Sequence, residues 1–141
     1  MKKTYMRHKK DCMQAVLATL LSVEYEEIPE FYLQHEAGVK DFDENLDSWL
    51  HARGFFRIEI DTPYNKEPLS MPYVSLPSYV CIGVLYKQGR NYSHVVVLIV
   101  SDLGVRVYHD PKEGSEYTIE DLIRVEFVLK TSEYLQEVVD Q

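Results

Sequence analysis

Apolar residues at Met13, Val16, Leu17, Leu20 and Leu21 recur at helical spacing. They predict a first helix opening at Cys12, with a broad face to bury. Ala15 and Ala18 allow neighbours to pack closely, and Asp11 stands where an N-cap carboxylate would accept a first-turn N–H. Glu24, Glu26, Glu27 and Pro29 end that helix and begin a connector. A second helix is expected over 43–53, with Leu46, Trp49 and Leu50 as its apolar stripe and Gly54 as its C-terminal stop. "FFRIEI" (55–60) alternates as a strand, and residues 61–78, with Pro63, Pro68, Pro72 and Pro77, read as a long irregular loop.

The second half has a different period. "YVCIGVLY" (79–86) and "HVVVLIV" (94–100) are dense in β-branched residues, and the second is apolar at consecutive positions, so both its faces should be covered. "VRVYH" (105–109) follows the turn "SDLG", a short helix is expected over 120–123, and "RVEFVLK" (124–130) reads as a further strand. A terminal helix would carry Leu135, Val138 and Val139. Helices come first and an antiparallel sheet follows, which predicts an α+β class. No repeat or composition shift divides the chain, so residues 1–141 are read as one domain.

Composition narrows the function. Hydrophobic residues at 45% and charged residues at 27% fit a globular domain rather than a disordered one. A net charge of −8 argues against nucleic acid as a partner, since the one basic cluster (Lys2, Lys3, Arg7, His8, Lys9, Lys10) is short. Two cysteines make no disulfide framework, and neither zinc-ligand spacing nor an HExxH or CxxC motif occurs. No cofactor or metal is therefore expected, and a reducing cytoplasm suits the composition. The basic start and the apolar run from Cys12 to Val23 mimic a secretory leader. Gln14 interrupts the run and no small-residue cleavage site follows, so it is read as a core helix. No stretch is long enough to span a membrane.

The candidate chemistry starts at Cys12. A thiol at a helix start, preceded by Lys9 and Lys10, sits where dipole and charge favour thiolate. "SHVVVLIVSDLGVRVYHDP" (93–111) reads as a hairpin. With Ser101–Asp102–Leu103 as its loop, Val100 pairs with Gly104, and His94 falls opposite Asp110 at the open end. Opposed residues share a face with Cβ atoms roughly 5 Å apart, so the carboxylate reaches the imidazole. Cys12 as nucleophile, His94 as general base and acid, and Asp110 as orienter form a complete triad. The Cys12 backbone N–H, at the helix start, is placed to donate to an oxyanion.

"DCMQAVLATLLSVEYEEIP" resembles the cysteine box of papain-like peptidases of the C39 (bacteriocin-processing) type, and more closely that of small free-standing C39-like proteins of bacteria and phages. "SHVVVLIV" and "VYHDP" resemble that family's histidine strand and Asp-Pro, in the same Cys, His, Asp order. The resemblance implies a papain-like fold, Cys12, His94 and Asp110 in the catalytic positions, and hydrolysis of an amide or related acyl bond through a thioester. Peptide, protein or small acyl compounds are the implied substrates, with acyltransferase, transglutaminase or deamidase chemistry, or a binding module without turnover, as alternatives. The family's oxyanion glutamine, about six residues before the cysteine, is replaced by Met6, with Tyr5, Arg7 and His8 as candidate substitutes.

Other residues read as structural. Cys81, within a strand, is expected in the core. His109 should face away from Asp110. His35 and His51 are expected at the surface, and Tyr92 and Tyr108 are candidates to line a cleft.

Overall fold

The computed structural model describes residues 1–61, 78–101 and 104–131. The first helix, α1 (Cys12–Leu21), is buried at seven consecutive positions, Met13 to Thr19, rather than along one stripe. Part of the cover comes from the N-terminal segment, whose Thr4 N–H donates to the Thr19 hydroxyl at 2.9 Å. The helix stops at Ser22, which takes a left-handed conformation with φ 56°. The acidic residues and Pro29 thus lie beyond a stop already made.

A six-residue helix, α2 (Phe31–Glu36), occupies the stretch expected to be a connector. Phe31 is its buried anchor, edge-on to both Phe42 and Trp49. Pro29 does not prevent it, because the helix begins after it. α3 (Phe42–Ala52) matches the expected second helix, with the Asp41 carboxylate accepting from Glu44 N–H. It ends at Gly54, whose φ of 83° only glycine adopts cheaply.

The strands are β1 (Phe55–Asp61), β2 (Ser78–Leu85), β3 (His94–Ser101), β4 (Gly104–His109) and β5 (Leu122–Lys130). They form an antiparallel sheet in the order β1-β5-β2-β3-β4. The described residues are therefore α+β, with three α-helices and a five-stranded sheet. The short helix expected over 120–123 is a 3-10 turn at Ile119–Asp121, and β5 already begins at Leu122. Most of the proline-rich loop, and the terminal helix expected to carry Leu135, Val138 and Val139, lie outside the described residues.

Both faces of β3 are covered, as its unbroken apolar run predicts. Val95 and Val97 pack with Val16, Leu17, Leu46 and Leu50 on the helix side. Val96, Leu98 and Val100 pack with Cys81, Val125 and Phe127 on the other. Gly83 in β2 makes room for this second layer, since a Cβ there would lie 2.6 Å from Leu98 Cγ.

The β3–β4 hairpin departs from its expected register. Ser101 pairs with Gly104 and Val100 with Val105, one residue off the Val100–Gly104 pairing. A second shift follows, because Leu98 pairs with Val107 but Val97 pairs with His109. Tyr108 is the extra residue of this bulge, and it packs against the helix-side core.

Candidate active site

Cys12 is the first residue of α1 and is half-buried. Asp11 does not cap the helix as expected. Its buried carboxylate turns back and accepts from Arg7 N–H at 2.8 Å and from the Tyr25 hydroxyl at 2.6 Å. The Arg7 guanidinium covers the Tyr25 ring at 4.0 Å and pairs with Glu26. Asp11 thus fixes the turn that delivers the chain to Cys12, and the first-turn N–H groups of α1 keep no side-chain cap.

His94 is the first residue of β3 and is buried. Its Nε2 lies 2.7 Å from Asp110 Oδ1. The Cys12 side chain lies close enough to the same imidazole to raise its pKa. With Nε2 held by Asp110, Nδ1 is the nitrogen left for sulfur. Cys12, His94 and Asp110 are therefore brought together, although the expected direct opposition of His94 and Asp110 does not occur. Asp110 lies just past the end of β4, where the chain bends, and its Oδ1 also accepts Lys112 N–H at 2.9 Å. The bend supplies what the shifted register removes.

The electrostatics follow from these contacts. Burial of the His94 ring pulls its pKa down, but the interactions with Asp110 and Cys12 outweigh it and push it up to about 9. Burial raises the Asp110 carboxyl, yet His94 and the Lys112 N–H hold it below its ordinary value. The Tyr117 ring stacks on His94 with centroids 5.0 Å apart and covers one imidazole face.

A cavity of about 370 Å³ opens at Cys12 and His94. It crosses the helix-facing side of the sheet, passing Val95 of β3, Val84 of β2, Arg124 and Glu126 of β5, and reaching Arg57 of β1. Met13, Phe31 and Phe42 supply its apolar wall. Tyr92 lines the mouth, as does His35, which is exposed. Tyr108 does not line it and instead lies beneath Lys3.

Of the candidate substitutes for the oxyanion donor, none lines this cavity. The Tyr5 ring packs edge-on against His109, Arg7 is committed to Glu26, and the His8 Nδ1 accepts from Lys10 N–H. Gln14 does line it, but its Nε2 donates to the Ile28 carbonyl at 3.1 Å. His109 does not line the cavity, and its Nε2 lies 2.6 Å from the Thr4 carbonyl oxygen. Cys81 is fully buried, and burial pushes its thiol up to about 12.

The charged wall was not anticipated. Arg57, only 4% exposed, contacts Asp43, Asp47, Glu59 and Glu126. Glu126 is 2% exposed and lies between Arg57 and Arg124, and burial raises its carboxyl despite both cations. A signal was present in the strands themselves: "FFRIEI" and "RVEFVLK" each carry an Arg and a Glu two residues apart. Alternation puts each pair on one face, and only pairing of β1 with β5 makes the two faces one. Comparison of the chain with protein-family models, with curated proteins and with solved structures returns no match.

Proposed function

We propose that this protein is a thiol hydrolase of papain-like, C39-like type that cleaves an amide or related acyl bond, most simply a peptide bond. The observation that supports it is that Cys12 and His94 line the mouth of one cavity while Asp110, from a third part of the sequence, holds His94 from behind. An imidazole that stays protonated through neutral pH beside a thiol favours an imidazolium–thiolate pair, the nucleophilic form.

Sγ of Cys12 attacks the carbonyl carbon and forms a C–S bond, while the carbonyl π pair moves to oxygen. The Cys12 backbone N–H stabilises that oxyanion. As the C–N bond breaks, His94 gives its proton to the departing amine, leaving a thioester. His94 then takes a proton from water, whose oxygen attacks the thioester carbon. The C–S bond breaks to give the carboxylic acid product and restore the pair. Asp110 holds the ring orientation and supports its positive charge throughout. Two unpaired cysteines, one of them this nucleophile, suit a reducing compartment, and cytoplasmic placement belongs to the same proposal.

A binding module that retains this architecture without turnover is the second reading. The residue at the expected donor position favours it, because Met6 has no side-chain donor and its backbone N–H is taken by the Pro111 carbonyl at 2.9 Å.

The test is iodoacetamide alkylation as a function of pH in Cys81→Ser, with Cys12→Ser and His94→Ala added. The hydrolase reading expects fast labelling that needs both Cys12 and His94, followed by turnover in a screen of peptide and ester substrates that Cys12→Ser abolishes. Slow labelling indifferent to His94 would exclude the nucleophile assignment. Fast labelling without turnover, and a partner retained by Cys12→Ser, would support the binding module.

A further inference from the structure

The two arginines of the cavity wall are bound very differently. Arg57 directs Nε and Nη2 to Asp47 at 2.9 and 3.2 Å, and Nη1 to Glu126 and Glu59 at 2.7 and 2.6 Å. It is saturated and has nothing left to offer a ligand. Arg124 is loosely held. Its Nε lies 3.2 Å from Glu126 Oε2, yet that N–H is buried without an aligned acceptor. Its Nη1 lies 3.7 Å from Glu59. About a third of the side chain, 34%, is exposed, and it lines the cavity. The Nε is out of a ligand's reach, but the part-exposed Nη groups, held among the described residues only by the 3.7 Å contact to Glu59, favour an incoming acceptor.

Sheet register fixes where that acceptor would sit. Arg124 pairs with Val84, and Val84 pairs with Val95, the residue after His94. Arg124 is thus two strand spacings, about 10 Å, from the start of β3. An extended chain covers that distance in roughly three residues. Met13, Val84, Val95 and Phe31 line the cavity in between and offer apolar contact. The acceptor must also be neutral. Glu126 lies within 3.2 Å of Arg124 Nε, and four carboxylates already surround the two guanidiniums, so a further carboxylate would meet like charge.

We infer that Arg124 is a substrate-recognition residue, donating to an uncharged amide carbonyl of the acyl portion of a peptide substrate two to three residues from the bond that Cys12 attacks. This deepens the hydrolase reading and rests on it. The acyl portion suits this end because it stays attached to Cys12 until water arrives, whereas the amine must leave. Arg124 takes no part in bond making, and its effect is on peptide length selectivity.

The experiment compares second-order inactivation of the Cys81→Ser protein by N-acetyl alanyl chloromethyl ketones of one, two and three residues. In each, the Cys12 thiolate displaces chloride and forms a C–S bond. Iodoacetamide, too small to reach Arg124, serves as the reference. The expected result is a rise of about tenfold or more from one residue to three. Arg124→Met should abolish that rise while leaving the iodoacetamide rate unchanged. Arg124→Gln is the second variant, read in the same way, should the methionine variant fail to fold. A length gain that survives loss of Arg124 would overturn the assignment, as would faster inactivation by the three-residue probe with glutamate in place of its first alanine. An iodoacetamide rate indifferent to His94→Ala would instead remove the triad, and the recognition role with it.

Discussion

Cys12 and Cys81 are the same side chain in two regions that treat it oppositely. Cys81 lies in the middle of β2 between Val80 and Ile82, sealed by Leu98 and Phe127 on the sheet face away from the helices. No charge stabilises a thiolate there, and burial pushes the thiol up to about 12. Cys12 lies at the mouth of a cavity, against an imidazole that Asp110 keeps protonated. Apolar residues follow both cysteines in the sequence, but Lys9, Lys10 and Asp11 precede only Cys12. The His94 cation within reach separates them.

The sharpest way to break the contrast is to remove that cation. His94→Ala should slow alkylation of Cys12 at pH 7 by a factor of ten or more and abolish turnover, roughly a thousandfold or greater loss. Cys81 should remain unlabelled in the folded protein of either form. Mass-spectrometric mapping of the labelled cysteine checks both statements. Asp110→Asn keeps the size of the orienting group and removes its charge. It should lower kcat by about a hundredfold to ten-thousandfold, with KM little changed, because the imidazolium loses its support.

The pH dependence of stability comes next in size. The folded pKa of His94 is raised to about 9 from 6.5, so the stabilisation it contributes is fully present below about pH 6.5 and is lost as pH rises through about 9. A shift of that size corresponds to about 3 kcal/mol at most. Urea midpoints measured from pH 6 to 10 should fall across that window, and His94→Ala should flatten the curve. The smallest effect belongs to the inert partner. Cys81→Ala leaves a small gap in the second core layer and should cost about 1 kcal/mol, read as a lower urea midpoint, with Cys12 labelling unchanged.

Much of this contrast is legible in the sequence. The position of Cys12 at a helix start follows from apolar spacing, and the burial of Cys81 follows from its β-branched neighbours. The pairing of His94 with Asp110 is reached by hairpin reasoning, yet through a register that the molecule does not use. The bulge at Tyr108 and the bend after His109 both alter which residues face each other. The pair survives because a carboxylate two atoms from its backbone can be aimed by a turn as well as by a strand. Asp11 shows the opposite case. Its N-cap position is correct, but the capping bond is absent, because Tyr25 and the Arg7 N–H compete for the same carboxylate from outside the helix.

By itself the sequence determined the α+β class, the central elements and the grouping of Cys12, His94 and Asp110. These follow from local periodicity and from short-range turn logic, which act within one element or one hairpin. Only the tertiary structure decided what lies at the other end of the cavity. Arg57 and Glu126 are 69 positions apart in the chain, and their contact requires β1 to lie beside β5. Strand order is a property of the whole sheet, set by which faces can be buried together, and no local pattern encodes it. The same order leaves Arg124 short of partners where Arg57 has them all.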